Sequence, residues 1–393
     1  MGAPPLPQFG PIRGLHLAVG KFVVPHPMAT VDWPTTESAI GPPHGMPARD
    51  RTTDLRKTGI HRDHWYPLAW SRELRRGRAI GAAFAGEPIV LVRTESGAVF
   101  ALEDRCAHRQ VPLHAGVVTG ERIQCCYHRW TYDASGACVD VPYLGAGQAL
   151  PNGVRRYPSR EAFGLVFVFP GDPARAPAAP FPDVPAHGDP AYRTRRLDRR
   201  IACHYSFMHE NLMDMNHQFL HRRSMKSIVT QFLAMREGDG WIEADYTFAR
   251  SGGRQPLGEK FMIGSERAAG GGPACDLMTV RTDYPYQSLK FWRSGREAPA
   301  LDLWNVYVPL DRDQRTNRTF GLMSIRRPAI PGAIHLLWPF IARFTDGIFA
   351  EDQWIVEEEQ KAFDRQGADW NQEIFPIIQA LRRLLVRRGM PMA

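Results

Sequence analysis

Two short segments, each containing one cysteine and one histidine, constrain this chain more than any other feature of its sequence. Cys106 and His108 form a Cys-X-His pair, and Cys125 and His128 form a Cys-X2-His pair after a gap of sixteen residues. Thiolate sulfur and imidazole nitrogen are ligands of zinc and of iron–sulfur clusters in proteins. The two segments therefore predict two loops that hold one inorganic centre between them.

Two kinds of centre fit these four side chains, and the order of the ligands distinguishes them. Zinc fingers group like ligands, with a Cys-X2-4-Cys pair followed by a His-X3-5-His pair. In this chain each loop contains both types. Such a mixture suits a [2Fe–2S] cluster in which two histidines replace two cysteines on one iron. The spacing therefore favours the binuclear cluster over a Cys2His2 zinc site.

A second stretch, residues 205–223, contains neither glycine nor proline and predicts one continuous helix, YSFMHENLMDMNHQFLHRR. His217 and His221 are four residues apart, so they would share one helical face, and Asp214 lies three residues before His217. Two imidazoles so placed predict a metal site that needs a third ligand. By itself the pattern leaves a histidine pair on a helix surface, or a polar pair in the core, as the alternative.

Length and cysteine content limit the class of protein. A chain of 393 residues is long enough for two domains, and six cysteines are too few for a disulfide scaffold. Because two of them serve better as thiolate ligands, we expect a cytoplasmic protein. No window reaches the roughly 18 uncharged apolar residues of a membrane-spanning helix. The nearest window, residues 329–342, is predicted to be a buried or lid-like segment.

The net charge of +8 does not indicate a nucleic-acid partner, because the arginines are dispersed and no DNA-binding motif is present. Four arginines instead lie close in sequence to the cluster ligands: Arg105, Arg109, Arg122 and Arg129. Positive charge around a redox centre would steer an acidic electron donor toward it. Ordinary solvated arginines are the alternative interpretation.

The organisation of the chain follows from changes in composition. Residues 1–60 hold many prolines and glycines without sustained periodicity and predict a disordered leader. Short strands with glycine turns over residues 61–172 predict a small antiparallel domain that carries the ligand loops. Residues 173–190, rich in proline and alanine, predict a linker. Residues 191–393 would form the second domain, with strand-like runs after the histidine stretch.

Residues around the ligands resemble a known family. The two pairs are followed by side chains found in the Rieske domain of ring-hydroxylating oxygenases, here Trp130, Tyr132, Asp133, Gly136 and Pro142. Cys126 and Arg129 stand where proline and glycine are usual in that motif. The pattern Asn-X2-Asp-X2-His-X3-His, from Asn211 to His221, resembles the mononuclear iron motif of the same enzymes.

This resemblance implies a role for the remaining site residues. A carboxylate late in the chain would complete a set of two histidines and one carboxylate on iron. Asp352 is expected to be that ligand, with Glu351 as the substitute. Asp214 would connect the iron ligands to His128 of a neighbouring subunit, which implies a homotrimer. Asn211 would line the approach to the iron.

The resemblance also implies the fold and the activity. We expect an α+β chain with an all-β Rieske [2Fe–2S] domain followed by a helix-grip (Bet v1-like or START-like) catalytic domain on a curved antiparallel sheet. The protein would be a terminal oxygenase component that carries a [2Fe–2S] cluster and mononuclear Fe(II). It would use O2, with NAD(P)H-derived electrons from a separate ferredoxin or flavin reductase, to hydroxylate an apolar aromatic or polycyclic molecule. O- or N-demethylation, desaturation and oxidative cyclisation remain alternatives within the family, and an electron-transfer Rieske protein without oxygenase activity is the alternative outside it.

Overall fold

The structure, a computed structural model, describes residues 54–145, 147–264 and 276–392. In the part of the chain that it describes, no helix is both long enough and apolar enough to cross a membrane.

The predicted leader lies mostly outside the described residues, but its predicted end at residue 60 is wrong. A 3-10 helix occupies Leu55–Lys57, and the Asp54 side chain caps it. Leu55 and Ile60 are both buried. Their apolar side chains pack into the main core. The high proline and glycine content of the preceding residues does not predict this packing.

The N-terminal part consists of short strands in antiparallel sheets. In chain order the strands are β1 (Thr58–Gly59), β2 (Tyr66–Trp70), β3 (Arg78–Phe84), β4 (Glu87–Arg93), β5 (Val99–Glu103), β6 (Val117–Thr119), β7 (Arg122–Gln124), β8 (Thr131–Tyr132), β9 (Cys138–Asp140), β10 (Arg156–Tyr157), β11 (Ser159–Ala162) and β12 (Leu165–Val168). They pair in the orders β10-β5-β4-β3, β11-β12-β2 and β6-β7-β8-β9. A small apolar core that includes Cys106 and Cys125 lies beneath the ligand loops.

The C-terminal part combines helices with one large sheet. Within the described residues that sheet has eight antiparallel strands: β13 (Tyr192–Ile201), β14 (Ser227–Val229), β15 (Phe232–Gly238), β16 (Trp241–Gly252), β17 (Asp276–Asp283), β18 (Tyr286–Trp292), β19 (Leu301–Pro309) and β20 (Asn317–Arg326). The helices are α1 (Pro185–Gly188), α2 (Tyr205–Met213), α3 (Leu257–Ile263), α4 (Ala333–Gln366) and α5 (Pro376–Arg388), and β21 (Met390–Pro391) pairs with β1. The expected α+β architecture, an all-β domain before a sheet with helices, is confirmed.

Strand β19 shows how the sheet is placed, because every one of its residues is buried. On one face Trp304 meets Phe167 of the N-terminal part, with ring centroids 6.5 Å apart. On the other face Tyr307 meets His209 of α2 at 4.9 Å. The sheet therefore has the N-terminal strands on one side and the helices that carry the second histidine motif on the other.

The continuous helix predicted over residues 205–223 is wrong. Helix α2 ends at Met213, Asp214 has an extended backbone (φ −88°, ψ 93°), and a 3-10 helix occupies Met215–Arg222. The Asp214 carboxylate accepts a hydrogen bond from the Asn216 backbone N–H at 2.8 Å, as an N-cap residue does. A short acidic side chain that competes for backbone N–H groups interrupts the helix without glycine or proline.

Two other expectations change in detail. The predicted linker at 173–190 contains a 3-10 helix at Pro173–Arg175 and helix α1. The segment 329–342, expected to be buried or lid-like, instead begins α4 and leaves Leu336 79% exposed.

Candidate metal centres

Backbone hydrogen bonds close the two loops that carry the first four candidate ligands. In the loop after β5, the Cys106 N–H donates to the Val111 carbonyl at 2.8 Å, and the Gln110 N–H donates to the Cys106 carbonyl at 2.9 Å. Between β7 and β8, the Cys125 N–H donates to the Trp130 carbonyl at 2.9 Å. Each loop is thus fixed around its cysteine.

The loops bring the four side chains together with the sulfurs inside and the imidazoles outside. Cys106 and Cys125 are both free thiols with only 2% of their surface exposed. The rings of His108 and His128 have centroids 4.6 Å apart and are only partly buried. Burial raises the pKa of Cys125, and the adjacent Cys106 thiol adds to that effect. Two buried thiols side by side favour a cationic metal group that would hold them as thiolates.

Arg129 shows why glycine is usual at its place in the resembled motif. Its backbone is left-handed, with φ at 63°, and glycine adopts this conformation at no steric cost. For other residues the cost is roughly 1–2 kcal/mol. The Arg129 Nε donates to Gln124 Oε1 at 3.1 Å, and this hydrogen bond ties the strained residue to β7.

Two aromatic residues of the motif contact the candidate ligands directly. The Trp130 ring stacks on His108, with centroids 4.7 Å apart and planes 4° apart. The Tyr132 hydroxyl accepts a hydrogen bond from the Ala107 N–H at 3.0 Å and lies 3.2 Å from the Cys106 sulfur. The sequence placed both residues in the motif but gave no indication of which ligand each would touch.

A second group of ligand atoms lies between the 3-10 helix and α4. One ligand atom from each of His217, His221 and Asp352 lies within 4.8 Å of the other two. The Asp352 Oδ1 is 3.2 Å from His221 Nε2 and 3.7 Å from His217 Nε2. Both histidines therefore present the same ring nitrogen to one carboxylate. The fold thus brings Asp352 to two histidines that lie more than 130 positions before it in the sequence.

Glu351, the substitute third ligand, does not join this group. Its Oε2 lies 2.8 Å from His221 Nδ1, the ring nitrogen that faces away from Asp352, and its Oε1 accepts from the Ser224 hydroxyl at 2.9 Å. Burial lowers the pKa of His221, but the neighbouring Asp352 and Glu351 carboxylates outweigh burial and leave that pKa above its ordinary value. Glu351 thus orients His221, a role that the sequence did not indicate.

Asp214 and Asn211 have different relations to the triad. The backbone carbonyl of Asp214 is hydrogen-bonded to His217 Nδ1, while its carboxylate accepts from the backbone and side-chain N–H groups of Asn216. Asn211 lies half-buried on α2. No hydrogen bond joins its side chain to the triad within the described residues.

Both groups of side chains fit the metals that their residue types suggest. Asp352 Oδ1 is buried and has no hydrogen-bond partner among the described residues, although His221 Nε2 is only 3.2 Å away. His108 Nδ1 is likewise buried and without a partner there. Such unpaired atoms are costly unless they bind something, and a metal ion satisfies each as a ligand atom.

The sheet face toward α2 carries a set of apolar side chains, together with the polar side chains of Gln287 and Asn305. Alternation along the strands places the inward side chains next to each other in paired rows, and these include Met278, Val280, Leu289, Phe291, Leu301, Leu303, Met323 and Ile325. Leu301 and Leu303 share their strand face with Tyr307, whose ring meets His209 of α2. The helices therefore face a part of the sheet that can contact apolar molecules.

Comparison with known families gives two matches that together contain both groups. Residues 64–158 match the Rieske [2Fe-2S] domain, and residues 201–383 match the vanillate O-demethylase oxygenase C-terminal domain. The first range contains the two cysteine–histidine loops. The second contains His217, His221 and Asp352.

Curated relatives include several oxygenases. The chain is 29% identical to the 4beta-methylsterol monooxygenase of Methylococcus capsulatus over 362 residues, which cover 87% of this chain and 92% of that protein. It is 35% identical to the oxygenase component of dicamba O-demethylase from Stenotrophomonas maltophilia, over 47% of this chain and 55% of that protein. It is 27% identical to the terminal oxygenase component of carbazole 1,9a-dioxygenase from a Sphingomonas species, covering 84% and 90% of the two chains.

Solved structures share the fold over most of the chain. Dicamba monooxygenase bound to 3,6-dichlorosalicylic acid superposes with a TM-score of 0.68 and 25% identity, covering 84% of this chain and 97% of that one. NdmA of Pseudomonas putida CBB5 with caffeine gives a TM-score of 0.63 at 21% identity, covering 83% and 89%. The second likeness shows the fold alone.

Proposed function

Because this chain belongs to the Rieske non-heme iron oxygenases, we propose that it is the terminal oxygenase component of a multi-component system and hydroxylates an apolar small molecule. Its relatives are monooxygenases, dioxygenases and demethylases that carry a Rieske [2Fe–2S] cluster and a non-heme iron. The observation that carries the proposal is the convergence of His217, His221 and Asp352. Two histidines and one carboxylate leave other positions on iron open for O2 and substrate.

Each candidate residue has a place in this proposal. The cluster would be held by Cys106, His108, Cys125 and His128, and the mononuclear iron by His217, His221 and Asp352. When bound, the cluster supplies single electrons and the mononuclear iron supplies the site at which O2 is activated. The separation of the two tasks explains why one chain needs two centres.

The protein's own hydrogen bonds prepare the histidines for this role. His217 Nδ1 faces the Asp214 carbonyl, which can only accept, so the proton must stay on Nδ1 and leave Nε2 free to bind metal. The Glu351 carboxylate imposes the same tautomer on His221. Fixed tautomers and ring orientations raise metal affinity, since no reorientation is needed on binding.

The apolar rows of the sheet support an uncharged, largely hydrophobic substrate. Buried aliphatic and aromatic side chains gain free energy by contacting apolar groups and would leave a carboxylate or sulfonate unpaired. The 4beta-methylsterol monooxygenase is named for an apolar polycyclic substrate, so we extend that substrate class to this chain as a proposal. O-Demethylation is the second candidate, favoured by the match of residues 201–383.

Reconstitution tests this function directly. Purified protein, loaded with both metals, is supplied with a generic ferredoxin, its reductase and NADH, and is then tested on neutral polycyclic alcohols, aryl ethers and aromatic carboxylates. We expect O2 uptake coupled to a hydroxylated polycyclic product. Release of formaldehyde from an ether would indicate demethylation instead. Fully loaded protein that couples O2 uptake to no product, while still accepting electrons, would support a pure electron carrier and contradict the proposal.

We further propose that electrons pass between subunits of a homotrimer through Asp214. Its carbonyl is bonded to His217, and its half-buried carboxylate is held by Asn216. Asp214→Ala and Asp214→Asn should both retain the two metals and lose turnover, whereas chemical reduction of the iron should still allow a single turnover. If Asp214 only capped the 3-10 helix, Asp214→Asn would keep its side-chain acceptor and remain active.

The electron donor is proposed to be an acidic, cytoplasmic ferredoxin or flavin reductase. Arg109, Arg122 and Arg129 are exposed near the candidate cluster ligands, and Arg109 lies 6.0 Å from the exposed Tyr127 ring. Arg105 is less available, because it pairs with Glu103 at 2.7 Å. Exposed positive charge of this kind favours an acidic partner and a salt-sensitive encounter.

A further inference from the structure

Helices α3 and α4 expose a set of large apolar side chains at the start of α4. Leu336 is 79% exposed, Ile330 72%, Leu257 62% and Phe340 56%. Single exposed apolar residues are common, but large contiguous apolar patches usually mark an interaction surface. We refer to these four residues as the α3–α4 face.

These side chains form one patch. Leu336 and Phe340 are four residues apart on α4 and therefore adjacent on its surface. The Phe340 ring contacts Phe261 of α3 at 6.0 Å, and Leu257 lies one turn before Phe261. Ile330 stands in the turn that leads into α4, where its carbonyl accepts from the Ala333 N–H at 3.2 Å.

Basic residues border this patch. Residues 326–345 contain no aspartate or glutamate and include Arg326, Arg327 and Arg343, whereas Arg315 and Arg318 are engaged in ion pairs with Asp364 and Asp198. Arg326 and Arg327 are exposed three to four residues before Ile330, and Lys260 is exposed on α3. The only acidic residue of α3, Glu259, is buried and paired with Arg250 at 2.6 Å. The α3–α4 face therefore consists of apolar side chains with basic residues beside them.

We infer that the α3–α4 face docks onto an anionic lipid surface. Apolar side chains next to arginine and lysine are typical of helices that lie in the membrane interface. The apolar side chains enter the acyl region, and the basic side chains contact lipid phosphates. A second copy of the chain bound through the same face would bring like charges together. The face is also a ridge formed by a turn and two helices, which suits insertion between lipids.

The position of the face relative to the iron site gives the docking a purpose. Asp352 lies sixteen residues beyond Leu336 on α4, which is about 24 Å along the helix axis. Helix α4, which contains Pro339, therefore runs from the docked face to the candidate iron ligand. An apolar substrate dissolved in the bilayer would meet the enzyme close to its catalytic domain. The docking itself does not depend on the proposed function.

Vesicle co-sedimentation tests the inference with the full-length, metal-loaded protein. We expect binding to phosphatidylcholine vesicles that contain about 30% phosphatidylglycerol, an anionic lipid that gives the vesicle a negative surface potential. Binding to pure phosphatidylcholine should be at least about ten-fold weaker, and salt should weaken binding to the anionic vesicles. Absence of binding to either vesicle would overturn the inference.

Paired variants identify the surface. Leu336→Ser with Phe340→Ser should lower the partition coefficient on anionic vesicles at least about ten-fold, because two large apolar side chains no longer enter the lipid. Arg326→Gln with Lys260→Gln should lower it by several-fold and reduce its salt dependence. The matched control is Ile374→Ser, since Ile374 is 85% exposed but lies outside this face.

The possible results separate the alternatives. Equal loss in the Ile374 control would mean non-specific adhesion and would overturn the inference. A change of oligomeric state in the Leu336 and Phe340 variant would show that another copy of the chain covers the face, which also overturns it. The visible spectrum and thermal midpoint of each variant check folding, and the milder Leu336→Ala replaces the double variant if it unfolds.

Discussion

Asp352 is the residue whose replacement should separate the two metal sites. Asp352→Ala removes a carboxylate that faces both histidines, so the mononuclear iron should be lost while the cluster remains. Iron content should fall from about three to about two per chain with the visible spectrum unchanged. Glu358→Gln is the control, because Glu358 is partly exposed and, among the described residues, forms its ion pair with Lys361. Full iron content in Asp352→Ala would remove Asp352 from the ligand set.

Glu351 should act on the metal only through His221. Glu351→Gln replaces a carboxylate with an amide at 2.8 Å from His221 Nδ1, which weakens the hold on the ring. We expect the affinity for Fe(II), measured by competition with a chelating dye, to fall roughly ten-fold or more. The cluster spectrum should not change. Unaltered affinity would mean that Ser224 and packing suffice to orient the histidine.

At the scale of single residues, the metal ligands can be predicted from the sequence more readily than the residues that orient those ligands. Cys106 and His108, or His217 and His221, are recognisable because fixed spacing in the chain places them together. The role of Glu351 depends on the rotation of α4, since adjacent carboxylates at 351 and 352 point to opposite sides of His221. Tyr132 touches Cys106 only because β8 pairs beside the ligand loop. No local pattern encodes either contact.

Helix α5 should hold the iron motif in place by packing rather than by chemistry. It contacts α2, and Leu381 of α5 is fully buried in the main core. Leu381→Ala should destabilise the protein by about 2–5 kcal/mol, through lost burial and the cavity left behind. The measurement is the thermal midpoint, with retained mononuclear iron as a second readout. Val386→Ala, on the exposed side of α5, should have little effect; equal shifts for the two would contradict this role.

Secondary-structure elements are harder to predict from the sequence where a single residue changes the backbone conformation. Nineteen residues without glycine or proline suggested a single helix, yet Asp214 divides it, because a carboxylate can cap a new helix wherever it satisfies free N–H groups. This break turns the Asp214 carbonyl toward His217. The apolar composition of segment 329–342 predicts a buried or lid-like segment, and the structure buries Ile334 and Ile341 but leaves Leu336 and Phe340 exposed on another face of α4. Composition predicts that a segment is apolar, but it does not predict which other element packs against that segment.

At the scale of the whole molecule, the α+β order of the chain could be predicted and the strand order could not. Strand β13 pairs with β20 along its full length, although more than 100 residues separate them, and β1 pairs with β21. Alternating polarity identifies strands, but long-range pairing depends on which faces are buried against other parts. This pairing places the α2 motif and α4 on one side of the sheet.

The proposed transfer between subunits makes a prediction that only an assembly can test. Cys125→Ser should remove the cluster and Asp352→Ala the mononuclear iron, so each variant alone should be inactive. Co-expressed chains with different tags, purified as mixed trimers, should regain about one third of wild-type turnover. In a ring of three that contains both variants, one interface joins an intact cluster to the intact iron of the next chain. Adding Asp214→Ala should abolish this activity when it is placed in the chain with intact iron, and leave it unchanged in the other chain. Inactive mixed trimers would mean that electrons travel within one chain.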